Sequence, residues 1–310
     1  MLKTADKPAI GRRRTLHLST RENLAGWAFI GLNFVGYLIF KLIPILMAAG
    51  LSFSKWNFAS SITNLQFVGF RNYARLVSDS TFIQSLINTI IYSVVLVPVA
   101  IFLALILGVL LDKHVYGKGV LRLAFYLPNI SSMVAISMVW MILFLPSYGP
   151  INQFLYSVGI DNPPKWLNST QTSLLSIIIV GIWQRIGYNI IIVLAGLQCI
   201  PGTLYEAAEI DGANKVQQFF KITIPSLSNT MFFLIMISFI NSFQVFETVQ
   251  VMTKGGPGDS SSVLVYYIYR TAFLNNNIGY ATAMSWVLFF LVFIFSISRM
   301  IVNNMKKKGA

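Results

Sequence analysis

Six apolar stretches constrain this chain more than any other feature: Leu24–Leu51, Ile83–Leu111, Val120–Leu145, Ser173–Leu197, Leu227–Val251 and Tyr280–Val302. Each is long enough to cross a hydrocarbon layer of about 30 Å as a helix rising about 1.5 Å per residue. Charged residues make up 11% of the 310 positions, against about 25% in a soluble domain. The expected fold is an all-α integral membrane bundle of six transmembrane helices. Lys41 and Pro44 interrupt the first stretch, so its outer end is expected to kink or lie at the interface. Lys41 is expected to snorkel to that interface.

Lysine and arginine placement orients the bundle. Fifteen of them fall on the side holding both termini and the second and fourth inter-span loops, six fall on the other side, and Lys41 and Arg185 lie inside spans. The positive-inside rule then puts both termini in the cytoplasm. The expected layout is a cytoplasmic tail over 1–23, a spanning domain over 24–302 with a cytoplasmic loop at 198–226, and a basic cytoplasmic tail over 303–310. Arg12, Arg13 and Arg14 precede an apolar run too long for a signal-peptide core and lacking a clear small-residue cleavage site, so it reads as a retained span. The net charge of +13 follows span ends, which argues for a lipid bilayer and against nucleic acid. A lone Cys199 excludes an intrachain disulfide and a cysteine metal cluster. His17 and His114 sit beside basic clusters outside the apolar stretches; no metal site is expected.

The loop between the fourth and fifth stretches is patterned. Pro201-Gly202 breaks the helix, and Thr203 stands three residues before Glu206, the spacing of a capping box. Ala207, Ala208 and Glu209 favour helix, Gly212 interrupts it, and Ala213–Lys221 is expected to form a second helix burying Phe219 and Phe220. Pro225 is expected to end the unit. One reading is an amphipathic segment lying on lipid, which should be rich in Lys and Arg. Glu206, Glu209 and Asp211 would instead be repelled by anionic lipid. Docking of a partner on this small-residue surface is the preferred reading.

Glu206-Ala207-Ala208, Asp211-Gly212-Ala213, Phe219, Ile222 and Pro225 resemble the EAA loop of binding-protein-dependent ABC importer permeases, and within them the sugar permeases of the maltose and glycerol-phosphate group. The likeness continues through Phe67–Leu76, Trp183–Asn189, Ser242–Phe246 and Gly255–Gly258, with Ile224 where the family usually has Leu. The chain lacks the extra N-terminal helices and large extracytoplasmic insertion of the maltose permease. The resemblance implies a type I importer in a bacterial or archaeal cytoplasmic membrane. It would comprise two permeases (related, non-identical chains), two ATPase subunits and an extracytoplasmic solute-binding protein. In it, Glu206, Ala207, Ala208, Asp211, Gly212, Ala213 and Phe219 would couple to the ATPase, which would hold ATP and Mg. The chain itself carries no Gly-x-x-x-x-Gly-Lys-Ser/Thr phosphate loop, and no enzymatic activity or bound cofactor is expected of it.

Polar residues inside spans are costly and mark cavities or helix contacts. Arg185, Tyr188 and Asn189 lie in the fourth stretch, with Gln184 beside them. Ser238, Asn241, Gln244 and Glu247 recur every three residues along the fifth, joined by Ser242. As a stripe they suit a path for a sugar, whose hydroxyls need directional partners and whose face needs aromatic contact. Taken singly, each serves equally well as helix–helix glue, with Arg185 bonded to Glu247. The competing class is a self-sufficient secondary transporter or channel in which Arg185 and Glu247 couple an ion, although no internal repeat of the kind common in such folds is evident.

Overall fold

A computed structural model of the protein describes residues 20–57, 64–112 and 116–308. The expected tail over 1–23 lies outside these residues except for its last four, as do His17 and His114. The C-terminal tail is described through Lys308.

Two compact units divide the chain, 1–50 and 51–310. The first holds α1 (Thr20–Tyr37) and most of α2 (Ile43–Ser52), joined by a π turn over Leu38–Leu42. Gly26–Ser52 is long and apolar enough to span a membrane. The interruption expected at Lys41 and Pro44 takes the form of that π turn, which absorbs one extra residue without stopping the helix.

In the second unit, strands β1 (Ser54–Lys55) and β2 (Gln66–Phe67) pair antiparallel. Helix α3 (Arg71–Ser78) leads into α4 (Ser80–Asp112). Then follow α5 (Lys118–Ile130), α6 (Met133–Leu143), α7 (Pro150–Ser157) and α8 (Ser173–Gln198). Helices α9 (Gly202–Ile210), α10 (Lys215–Gln218) and α11 (Ile224–Ser226) form the inter-span loop. The chain finishes with α12 (Ser228–Phe243), α13 (Glu247–Met252), α14 (Leu264–Tyr269) and α15 (Ile278–Lys308).

Four of the expected spans in this unit match candidate spans Ser80–Asp112, Ser173–Gln198, Ser228–Met252 and Ile278–Val302. The expected third span, Val120–Leu145, corresponds to a bent pair: α5 and α6 are together long and apolar enough to cross, and they meet at a 99° bend. Ser131 and Ser132 leave the helical region there, and Pro128 supplies no N–H to the turn preceding the bend. The fifth span is also two pieces, α12 and α13, separated at Gln244–Phe246.

Helices α4 and α8 run parallel at the centre. Gly181 leaves room for Tyr92 and Leu96 near their starts, and Gly108 for Val193 near their ends. Glycine at such positions lets the helices approach where a Cβ would collide. Tyr92, Leu96, Val97, Ile177, Val193, Leu227, Leu234 and Val249 form the central core. The parallel run fixes two ends of the bundle. One carries α3 and the starts of α4, α8 and α15; the other carries the loop that follows α8. At the first end, Asn88 Nδ2 donates to the carbonyls of Asp259, Ser260 and Ser262 (3.2, 3.1 and 2.8 Å), and Thr89 Oγ1 accepts the Leu264 N–H at 2.8 Å. These buried groups bind the irregular stretch after α13 to α4, satisfying backbone that would otherwise lie unpaired inside the protein.

Candidate functional site

Where the fifth span breaks, a cavity of about 290 Å³ opens between α4, α6, α8, α12 and α13. Irregular backbone at membrane depth is tolerated only where it is buried in protein or lines a wet cavity. Here the broken turn itself, Gln244–Phe246, forms part of the lining. Of the stripe residues, Arg185, Asn241, Gln244 and Glu247 face this space together with Gln184, Phe246 and Thr248. Tyr92 and Met133 complete it. Neither was legible beforehand, because each stands within an apolar run and reaches the cavity only through tertiary packing.

The remaining path candidates lie elsewhere. Ser238 and Ser242 are buried, and Ser242 Oγ donates to the Phe239 carbonyl at 2.8 Å. Tyr188 packs against the central core. Asn189 is 1% exposed, and neither of its amide atoms has a hydrogen-bond partner. The helix break also ends the three-residue stripe, since Gln244 and Glu247 belong to different helical segments. Arg185 and Glu247 share the cavity without pairing: the ion pairs among the described residues are Lys215–Glu209 and Arg270–Asp259.

The loop forms a separate site at the far end. Helix α9 is capped at its start by Pro201 without a side-chain hydrogen bond, so the capping box expected from Thr203 and Glu206 is not made. Proline is preorganised for a helix start, and Thr203 falls within the helix. The box occurs instead at α10, where Asn214 Oδ1 accepts the Gln217 N–H and Gln217 Oε1 accepts the Asn214 N–H, both at 2.9 Å. Between the helices, Gly212 adopts φ +75°. Its N–H donates to the Glu209 carbonyl at 3.1 Å, and the Ala213 N–H to the Ala208 carbonyl at 2.8 Å. This paired closure of a helix end needs a left-handed residue, which glycine supplies without a Cβ penalty.

Lys215 pairs with Glu209 across the bend and holds that carboxyl below its ordinary range, assisted by Gln218. Tyr205 and Thr223 join their hydroxyls at 2.9 Å, tying α9 to the π turn over Phe219–Thr223. The outer surface holds Glu206, Ala207 and Asp211 exposed, with Ala208 and Ala213 half-buried. Phe219 is half-buried, but the expected burial of Phe220 is corrected: it is 62% exposed, and Gln218 and Thr223 take the buried positions. The π turn rotates that face away from a regular helical register. Pro225 lies inside the single turn of α11 and does not end the unit, which continues to α12 after Leu227. Ile210 and Val216 are exposed beside the acidic residues.

A bundle broken at a polar cavity, with an ordered loop exposed at one end, has the architecture of a multi-pass solute-translocating membrane subunit. The profile of the family "binding-protein-dependent transport system inner membrane component" matches residues 74–307, and the chain belongs to that family. A probable ABC transporter permease of Bacillus subtilis (strain 168), YurN, is 35% identical over 267 residues, covering 85% of this chain and 91% of the relative. The sn-glycerol-3-phosphate transport system permease protein UgpA of Agrobacterium fabrum is 36% identical over 227 residues, covering 73% and 77%. A solved bacterial ABC transporter involved in import of the acidic polysaccharide alginate shares the fold. Its TM-score is 0.77 at 24% identity, over 93% of this chain and 96% of that one.

Proposed function

We propose that this chain is one permease subunit of an ATP-driven importer for a sugar or oligosaccharide. A solute-binding protein outside the membrane would deliver the solute, and a separate ATPase would dock on the loop around Glu206–Ala213. The observation that carries the reading is the loop itself: an exposed acid-and-alanine helix, closed by Gly212 and anchored to α8 and α12, both of which line the cavity. Motion of α9 has a short covalent route to α8 through Cys199–Pro201, and to α12 through α11. Relatives named for arabinooligosaccharide and starch-degradation-product transport, 31% and 28% identical, support a glycan as the solute. The cavity suits one, with amides, a phenol and the Phe246 ring facing the same space.

In this reading the loop end and both termini face the cytoplasm, as the basic-residue count favours. The spanning domain runs from 24 to 302 between two cytoplasmic tails. ATP and Mg belong to the ATPase pair, and a second, related permease completes the translocation path. The family, together with the unpaired Arg185 and Glu247, weighs against a self-sufficient ion-coupled transporter.

The test is affinity isolation of the detergent-solubilised chain, with and without Glu206→Lys, followed by mass spectrometry. Expected with the native chain are an ATPase carrying a phosphate loop and a second six-span protein, the ATPase being lost or depleted in the variant. Recovery of the chain alone, or only with itself, would overturn the reading.

A further inference from the structure

At the end of the bundle where α4, α8 and α15 begin, a cleft of about 870 Å³ opens between the β1–β2 ribbon, α3 and the turn at Asn275–Asn277. It is about three times the volume of the core cavity. Its floor is built firmly. Asn72 Nδ2 donates to the carbonyls of Ser52 and Ser54 at 2.8 and 3.0 Å, and Tyr73 Oη donates to Ser52 Oγ at 2.8 Å. The N–H groups of Ile278 and Gly279 donate to the Trp56 carbonyl, and Gly279 packs against the Ser54 carbonyl with no room for a Cβ.

The charge on this cleft is one-sided. Lys55, Arg71 and Arg75 line it, and no carboxylate does among the described residues. None of the three forms an ion pair among the described residues. The neighbouring acids are already engaged. Asp79 accepts the phenols of Tyr267 and Tyr280 at 2.8 and 2.7 Å, and Arg270 pairs with Asp259 at 2.7 Å. Arg75 rests over the Tyr280 ring, 4.3 Å from its centroid. On the same ribbon and helix, outside the lining itself, stand exposed apolar residues: Phe67 at 77%, Phe70 at 74% and Val77 at 80%. Arginine beside exposed aromatic rings is the composition of a protein–protein interface; a free glycan would have little use for apolar residues standing outside the cleft.

We infer that this cleft docks a carboxylate-bearing surface segment of the solute-binding protein, with Lys55 and Arg71 as its electrostatic seat and Phe67 and Phe70 as apolar anchors. The inference rests on the importer reading, which turns this end of the bundle toward the compartment of the binding protein. Charge complementarity of this kind sets encounter rate and register, and exposed charges more than a Debye length apart, about 8–10 Å near physiological salt, are screened. Docking should therefore weaken with ionic strength.

The test uses the assembled importer in nanodiscs, with its co-produced, solute-loaded binding protein, and reads the binding-protein concentration that half-maximally stimulates ATP hydrolysis. In the double variant Lys55→Glu, Arg71→Glu, that concentration is expected to rise by about tenfold or more and to lose its salt dependence. The pair Lys55→Arg, Arg71→Lys keeps the charge and should behave as the native protein, which separates docking from misfolding. Stimulation of the charge-reversed variant at the native concentration would overturn the inference. It would also fall if a galacturonic acid trimer bound the permease through Lys55 and Arg71 while stimulation stayed unchanged, because the cleft would then be a glycan subsite. Failure of the binding protein to stimulate the native assembly would instead strike the importer reading itself.

Discussion

The hydroxyls of Tyr205 and Thr223 meet at 2.9 Å and close the inter-span loop on itself, joining α9 to the π turn eighteen residues later. The bond makes α9, the bend and the π turn one lever between α8 and α12. A neutral hydrogen bond of this kind contributes about 1 kcal/mol. Tyr205→Phe is expected to leave the spans folded while lowering the amount of solute moved per ATP. Uptake and hydrolysis measured together in proteoliposomes would test this. An unchanged ratio would mean that the closure plays no part in coupling.

Gly212 offers a sharper perturbation of the same lever. At φ +75°, Gly212→Ala should cost about 1 kcal/mol of local strain and impair coupling only partly. Gly212→Pro cannot adopt that angle and also removes the N–H that donates to the Glu209 carbonyl. The proline variant is expected to insert normally, retain the helical content of the native chain by circular dichroism, and hydrolyse ATP without transport. Normal transport by both variants would show that the loop need not hold this shape.

Much of this fold is legible from residue order alone, because the pressure to bury apolar side chains and satisfy the backbone acts locally along each span. The loop is legible for the same reason: Glu206 and Gly212 are local signals in chain order, whereas Pro225 falls inside a turn and does not end the unit. What escapes is long-range or three-dimensional. The break between α5 and α6 follows Pro128 and two serines, a weak signal inside an apolar run that reads as continuous. Tyr92 and Met133 face the cavity only because α4 and α6 bring them there. Ser85, Asn88 and Thr89 form a buried polar stripe on α4 that clasps residues some 170 positions later, and spacing alone does not reveal that partner. The capping box illustrates competition between local signals: Thr203 and Asn214 both have the required spacing, but Pro201 already starts α9 and only Asn214 has an uncapped helix to begin.

Asp79 gives the bundle an acid-sensitive clasp. Burial raises its pKa, but hydrogen bonds from Tyr280, from the Phe82 N–H, from Tyr267 and from the Thr81 N–H more than offset this and leave it below the usual carboxylate range. Its partner Tyr267 is pushed up to about 12, first by burial and then by the Asp79 carboxylate. A depressed carboxyl stabilises the folded state fully above its unfolded pKa, about 3.9, and that stabilisation is lost as pH falls through the folded value. The melting temperature of the solubilised protein should therefore fall below about pH 4. The fall should be shallower in Asp79→Asn than in the native chain. Parallel curves would remove Asp79 from the acid response.

Gly187 places α8 directly against the backbone of Phe125 in α5, with no space for a Cβ. Small residues allow such contacts between membrane helices. Gly187→Ala is expected to destabilise the protein by about 1–3 kcal/mol, the usual cost of overpacking. Thermal unfolding in detergent, compared with the same substitution at Gly202, where nothing lies within 4 Å, would separate packing from helix propensity.

Arg185 and Glu247 share one cavity without an ion pair, and this arrangement discriminates between two ways of powering transport. An ion-coupled carrier would need Glu247 to bind and release a cation or proton in each cycle, so Glu247→Gln would abolish concentrative uptake. In an ATP-driven permease the same group only lines the path, where an amide can accept hydrogen bonds almost as well as a carboxylate. Glu247→Gln is then expected to retain uptake within a few-fold of native, with any loss appearing mainly as weaker solute dependence. Arg185→Gln should behave similarly if no substrate charge needs matching. The decisive measurement is ATP-dependent uptake into proteoliposomes lacking any ion gradient. Native and Glu247→Gln transporters should both accumulate solute there, and a requirement for the gradient in the native protein would return Glu247 to the role of a coupling group.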